Sequence, residues 1–215
     1  MRDAILKSSQ GGYHNKARKL TTGDLETMEI PSRYWGAATG EIPEDDRAHE
    51  VAVNFAAHCP QILANGDPSL ILIHGDAGTG KTSLAAILAK ISRAHKYTVY
   101  WLDGSTILRQ FPTNKKTADG ELTARERAHE TEVLVLDGLG QGYVTNDYVV
   151  AETSALLKYR QDHKMLTIAT TSMGRAGLAK LYGTPFLGLL EEGSSMVKCI
   201  HEFRVHSSAG DDHGE

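Results

Sequence analysis

The amino-acid sequence predicts an α/β protein: a five-stranded parallel sheet with helices on both faces. Three observations carry this prediction. Short β-rich runs at residues 70–73, 98–102, 133–136, 166–170 and 196–200 are separated by stretches in which apolar residues recur at helical spacing. The third run, Val133-Leu134-Val135-Leu136, is continuously apolar, the kind of strand that is buried on both faces. Between the first run and the helical pattern that follows it lies a glycine-rich loop, so strand and helix meet with almost no linker.

The totals set the bounds. A chain of 215 residues suits one medium domain with short extensions. Hydrophobic content of 40% and charged content of 23% are those of an ordinary globular protein. A formal net charge of −4 argues against a protein that coats nucleic acid over its whole surface, but leaves room for a local basic groove. Two cysteines far apart, Cys59 and Cys199, form no disulfide framework, and the ten histidines are scattered without metal-ligand spacing. No apolar run approaches membrane-spanning length and no signal-peptide pattern opens the chain, so the expectation is a cytoplasmic protein with no membrane partner.

Taken in order, residues 1–28 are polar with a basic cluster at Lys16, Arg18 and Lys19, and read as a flexible leader. Pro31 biases Ile30 toward an extended conformation, so the segment from residue 30 reads as a linker strapped onto the domain that occupies residues 29–205. Ala48, Val51, Ala52, Phe55 and Ala56 predict a helix over 45–58, followed by a turn at Asn65-Gly66-Asp67-Pro68. Leu84, Ala85, Ile87, Leu88 and Ile91 predict a second helix ending near Arg93. A short helix is expected over 105–110, a charged loop and helix face over 113–131, a helix over 146–160 and another over 177–182. Residues 206–215 read as a disordered acidic tail.

The loop carries the chemistry. Gly75, Asp76, Ala77, Gly78, Thr79, Gly80, Lys81 and Thr82, followed by Ser83, have the form G-x-x-x-x-G-K-[ST] of a phosphate-binding loop. Glycines let the backbone curl so that successive N–H groups face phosphate oxygens, and the helix that follows adds its unpaired N–H groups. Lys81 would reach the β- and γ-phosphates of ATP or ADP, and the Thr82 hydroxyl would ligate Mg²⁺. By composition alone the bare pattern arises in roughly one or two such chains per hundred; the flanking strand and helix make it far more specific. Asp137 closes the third strand about 55 residues after Lys81 and would join Thr82 in the metal shell, the arrangement of a Walker B strand.

Beyond these motifs the chain resembles a family. Ile30-Pro31-Ser32-Arg33-Tyr34, the loop at 75–82, Val135-Leu136-Asp137-Gly138-Leu139-Gly140, Leu157-Lys158-Tyr159-Arg160 and Thr167-Ile168-Ala169-Thr170-Thr171-Ser172 stand in the order and spacing of the DnaC/DnaI-type AAA+ helicase loaders, over residues 30–204. The IstB-type transposition ATPases share the pattern. The resemblance implies an AAA+ P-loop NTPase core with strand order 5-1-4-3-2 and ATP-dependent homo-oligomer formation. It further implies binding to single-stranded DNA and delivery of a replicative DNA helicase onto it.

Three positions depart from that pattern. Gly138 stands where a second acid usually activates water, and Ser172 where the sensor is usually Asn. No arginine occurs between Arg175 and Arg204, where loaders carry the finger that touches a neighbour's γ-phosphate. A finger contributes about 10³–10⁵ in rate and a general base about 10²–10⁴. The expectation is therefore a weak ATPase in which Lys81, Asp137 and Ser172 remain the candidate catalytic groups. Arg160 or Arg175 is the candidate to act in trans, with a structural role favoured for Arg160. Lys115, Lys116, Arg125, Arg127, Lys158, Lys164 and Arg175 are the cations available to a DNA groove. Two other readings stay open: an IstB-like transposition accessory, and a nonhydrolysing nucleotide-binding regulator of a helicase or loader.

Overall fold

The computed structural model describes residues 17–111, 122–140 and 147–200. Five strands, β1 (Leu70–His74), β2 (Val99–Asp103), β3 (Val133–Asp137), β4 (Leu166–Thr171) and β5 (Ser194–Lys198), form one sheet in the order β2-β3-β4-β1-β5. Every pairing is parallel. Read from the other edge this is 5-1-4-3-2, as expected. β5 begins two residues earlier than its apolar residues suggest, because Gly193 turns the chain so that its carbonyl accepts from the Ser69 amide at 2.9 Å.

Successive strand residues point to opposite faces, and both faces are covered. Ile71, Ile73, Trp101, Val133, Val135 and Ile168 pack in one buried cluster; Leu70, Leu72, Tyr100, Leu102, Leu134 and Leu136 pack in the other. That two-sided burial is why the runs read as apolar rather than alternating. Helices α2 (Arg47–Asn65) and α3 (Lys81–Ala94) cover the first face, and α6 (Asp147–Asp162) contributes Leu156 and Leu157 to the second.

Several boundaries differ from the sequence expectation. α2 runs through Pro60 and on to a left-handed cap at Gly66, about two turns beyond His58. A 3₁₀ turn (Gly104–Thr106) leads into a short α4 (Ile107–Gln110), and α5 (Ala124–Glu130) forms inside the charged stretch. α7 (Arg175–Tyr182) is followed directly by α8 (Thr184–Glu191), which the sequence reading did not anticipate. The segment read as a flexible leader is folded where it is described. Thr21 and Asp24 form a capping box on α1 (Thr22–Thr27), Asp24 accepts from Arg93 Nε at 3.2 Å, and Met28 is fully buried with its carbonyl accepting from the Trp101 amide. The Arg18 guanidinium bonded to Asp24 holds that carboxyl well below the usual carboxylate range. Residues 1–16 and the tail at 206–215 lie outside the described residues.

Arg160, in the last turns of α6, is completely buried. Its five N–H donors meet five oxygens: Thr167 Oγ1 at 3.0 Å and the carbonyls of Ala128, Thr131, Glu132 and Leu166 at 2.7–3.3 Å. Burial lowers the guanidinium to about 9, so it keeps its charge at neutral pH. This one side chain ties α6, the end of α5 and the amino ends of β3 and β4 together. The structural reading of Arg160 is the correct one, since a side chain with every donor engaged inside the core cannot reach a neighbouring subunit. Replacing it with alanine takes the guanidinium partner from three buried carbonyls, those of Ala128, Thr131 and Leu166. Arg160→Ala is expected to cost at least about 3 kcal/mol, lowering Tm by roughly 6–12 °C in thermal unfolding. Lysine, with three donors on a point charge, should not restore it.

Candidate functional site

β1 ends at His74, and the chain turns at Gly75 because nothing larger fits. A Cβ there would stand 2.3 Å from the Cys199 carbonyl oxygen and 2.9 Å from Thr79 Oγ1. Gly78 and Gly80 take φ values of 86° and 76°, which open the loop before α3 begins at Lys81. Gly80 is the N-cap of α3 and supplies no side-chain cap, so the first N–H groups of the helix are left to an incoming anion. The loop holds its own shape meanwhile: the Asp76 carbonyl accepts from Thr79 Oγ1 at 2.9 Å and from Lys81 Nζ at 2.5 Å. Lys81 is buried, and desolvation lowers its ammonium from the ordinary lysine range.

β3 brings Asp137 to the same edge. Its Oδ1 accepts from Thr82 Oγ1 at 3.0 Å and from Thr170 Oγ1 at 2.6 Å. The same Thr170 hydroxyl accepts from the Gly138 amide at 2.9 Å. Burial pushes the Asp137 carboxyl up; the Thr170 and Thr82 hydroxyls pull it back down, Asp103 adds to the rise and Arg33 opposes it. Thr82 and Asp137 are a pair of hard oxygen donors in contact, the donor chemistry suited to Mg²⁺, which usually takes one or two protein ligands and completes its shell with phosphates and water. No group of three or more His, Cys, Asp or Glu among the described residues offers a self-sufficient metal site.

A cleft of about 440 Å³ opens here, lined by Arg33, Ala77, Gly78, Lys81, Thr82, Asp103, Ser105, Asp137, Gly138, Thr170 and Ser172. All three candidate catalytic positions, Lys81, Asp137 and Ser172, therefore face one space. Gly75, Asp76, Thr79 and Gly80 build the loop behind that lining, and Ser83 is buried in the first turn of α3. Gly138 sits in the cleft wall at φ 82° with no side chain to offer.

Four lining residues escaped the sequence reading: Thr170, Asp103, Arg33 and Ser105. Thr170 is the penultimate residue of β4, the strand beside β3; strand order would have exposed it. Asp103 lies in direct register with Asp137 across β2 and β3. Arg33 enters from the strap, where nothing in the local sequence marks a chemical role. The two free thiols, Cys59 and Cys199, are buried and pushed up to about 12, so neither is a nucleophile at neutral pH.

The cations read as a possible DNA groove are largely engaged in pairs. Arg125 meets Glu152 at 3.1 Å, Lys158 meets Asp162 at 2.9 Å, Arg127 pairs with Glu29 and Arg175 with Glu191. Arg175 is thus held on α8, and Lys115 and Lys116 lie outside the described residues. No helix among the described residues is long and apolar enough to cross a membrane.

A phosphate loop and a facing acid at the carboxyl edge of a parallel sheet define a P-loop nucleotide-binding protein. Comparison with known proteins is in keeping. Residues 71–175 match the model of the ATPase family associated with various cellular activities (AAA). A 131-residue stretch is 26% identical to ATPase family gene 2 protein of Saccharomyces cerevisiae, covering 60% of this chain but only 16% of that much longer protein. Among solved structures, the DnaC helicase loader superposes with a TM-score of 0.61 at 23% identity, covering 79% of this chain and 100% of that one. DnaI gives 0.63 at 18% identity, covering 83% and 95%. At such identities the likeness is one of fold. The chain has the AAA+ P-loop ATPase fold in its DnaC-like form.

Two outcomes test the site. Gly75→Ala should abolish nucleotide binding in a titration, because the loop must move to relieve the clash with the Cys199 carbonyl. Asp137→Asn should separate stability from function. A carboxyl raised by burial takes up a proton on folding, so ligand-free stability falls as pH rises from the unfolded value of about 3.9 through the higher folded value. Asparagine keeps an oxygen for Thr82 and Thr170 and removes the charge. At neutral pH the ligand-free variant should melt above the wild type, yet lose any Mg²⁺-dependent gain from nucleotide.

Proposed function

We propose that this protein binds ATP and ADP with Mg²⁺ and works as a helicase-loader-type AAA+ protein. It assists the placement of a replicative hexameric helicase on single-stranded DNA, with ATP promoting self-assembly and only slow hydrolysis. The observation that carries the nucleotide half is the contact of Thr82 with Asp137 in a cleft that Lys81 also lines. Lys81 would hold the β- and γ-phosphates once released from the Asp76 carbonyl. Thr82 and Asp137 would hold the metal, which supplies charge neutralisation between phosphate oxygens. The loader half is supported by the fold shared with the DnaC helicase loader and DnaI.

A second reading has its own observation. Gly138 gives the cleft no second acid, and its positive φ is one that side-chain-bearing residues rarely adopt. This favours a regulator in which nucleotide switches conformation or assembly without turnover.

Saturating Mg-ATP at a hundredfold excess over Kd should stabilise the chain by about 2.7 kcal/mol, a rise of roughly 5–10 °C in Tm, and Lys81→Ala should erase the rise. Steady-state turnover should stay below about 1 s⁻¹; a faster rate that disappears in Lys81→Ala overturns the slow-hydrolysis reading. Pull-downs with ATP, ADP and no nucleotide test the partner. Nucleotide-dependent capture of a replicative helicase supports loading, capture of a transposase supports the IstB-like alternative, and helicase capture without delivery onto DNA supports the regulator.

A further inference from the structure

Arg33 belongs to none of the phosphate motifs, yet among the residues lining the cleft it is the one arginine. It is not there by the accident of a loose loop. The strap that carries it is fixed at several points. The Tyr34 ring stacks on Trp101 with centroids 6.3 Å apart, and Trp35 Nε1 donates to the Ile30 carbonyl at 2.8 Å. Lys90, on the helix that begins at the phosphate loop, donates to the carbonyls of Tyr34, Trp35 and Ala37. Ile30 and Ala37 are buried in the core on either side. On this base the Arg33 guanidinium lies 4.8 Å from the Tyr34 ring centroid, exposed at the cleft wall shared with Asp103 and Asp137.

A guanidinium is a planar fork of donors that matches phosphate oxygens. In this cleft it stands with Lys81 as one of two cations, and the chain has no arginine between Arg175 and Arg204 to offer a neighbour. We propose that Arg33 is a specificity-determining residue of the nucleotide site: a cation supplied in cis by the strap, which grips the terminal phosphate of a nucleoside triphosphate and sets the preference for triphosphate over diphosphate. The inference rests on the nucleotide-binding reading above. A diphosphate lacks the group Arg33 would hold and binds through the loop, Lys81 and Thr82 alone. The strap also packs on α2, α3 and the edge strand β2, so the same contact would make its position responsive to the γ-phosphate.

The rival role is that of a counterion to Asp103 and Asp137, in which case removing Arg33 alters both affinities alike. Calorimetric titration of the full chain with Mg-ATP and with Mg-ADP separates the two. Arg33→Ala should weaken ATP by about 10–100-fold and leave ADP within about twofold, and Arg33→Lys should recover part of the loss. An ATP-to-ADP affinity ratio unchanged by Arg33→Ala overturns the proposal while leaving the nucleotide site standing. Should the wild type bind neither nucleotide, the site reading falls and this role with it. Arg33 is exposed, so the variants should melt with the wild type; if the alanine variant does not, Arg33→Gln, which keeps a stem over Tyr34, takes its place in the same titration.

Discussion

The Asp137 carboxylate is the point through which the two halves of the site are joined. One of its oxygens receives hydroxyl protons from Thr82, in the first turn of α3, and from Thr170, near the end of β4. Those residues lie 55 and 33 positions away in the chain. They meet because β1, β3 and β4 run parallel and end at one edge, where the loop, the acid and the sensor strand are delivered together. The geometry has an energetic consequence. A half-buried carboxylate with hydroxyl partners and no bonded cation destabilises the ligand-free fold. The charge is kept where a metal and phosphates would use it.

The two edges of the sheet divide the labour of stability and function. At the amino edge Arg160 is charged and buried, but all five of its donors are engaged, so it locks α5, α6, β3 and β4 in place. At the carboxyl edge the polar groups are incompletely paired in a way that suits a ligand. Gly80 leaves the N-terminus of α3 without a side-chain cap, Lys81 is borrowed by a loop carbonyl, and Asp137 is desolvated without a bonded cation. A rigid amino edge lets the carboxyl edge keep these costs.

Groups suited to binding and groups suited to hydrolysis part company at this edge. Lys81, Thr82 and Asp137 line one cleft with the loop and, on the reading proposed above, would hold a nucleotide with its metal. The position that would activate water is Gly138, whose backbone amide is already given to Thr170. Nothing in the cleft wall at 138 can polarise a nucleophile, and Arg175 is engaged with Glu191. The strap adds a second cation, Arg33, to the cleft wall beside Lys81.

Much of this was legible in the residues. The continuous apolar runs fixed strand number and two-sided burial, because alternate side chains of Val133-Leu134-Val135-Leu136 must both find apolar neighbours. The spacing of Gly75, Gly80, Lys81 and Thr82 defined the phosphate loop, because its conformation is local and needs glycine at set positions. Asp137 was found because it terminates a strand. The helix through Pro60 was missed because a local breaker was overruled by packing: Val51, Ala52, Phe55 and Cys59 are buried along one face, and burial outweighs one lost hydrogen bond. The ordered end of the leader was missed because its partners, Arg93 and Trp101, are some seventy residues away. By itself the sequence determined the class of fold, the loop and its acid, all of which depend on short-range pattern. Only the tertiary structure decided that Arg160 is a core strut, that Thr170 and Asp103 share the cleft with Asp137, and that Arg33 lines the same cleft. Each of those depends on which strands lie side by side and where a strap is pinned, and such distances in space have no local signature.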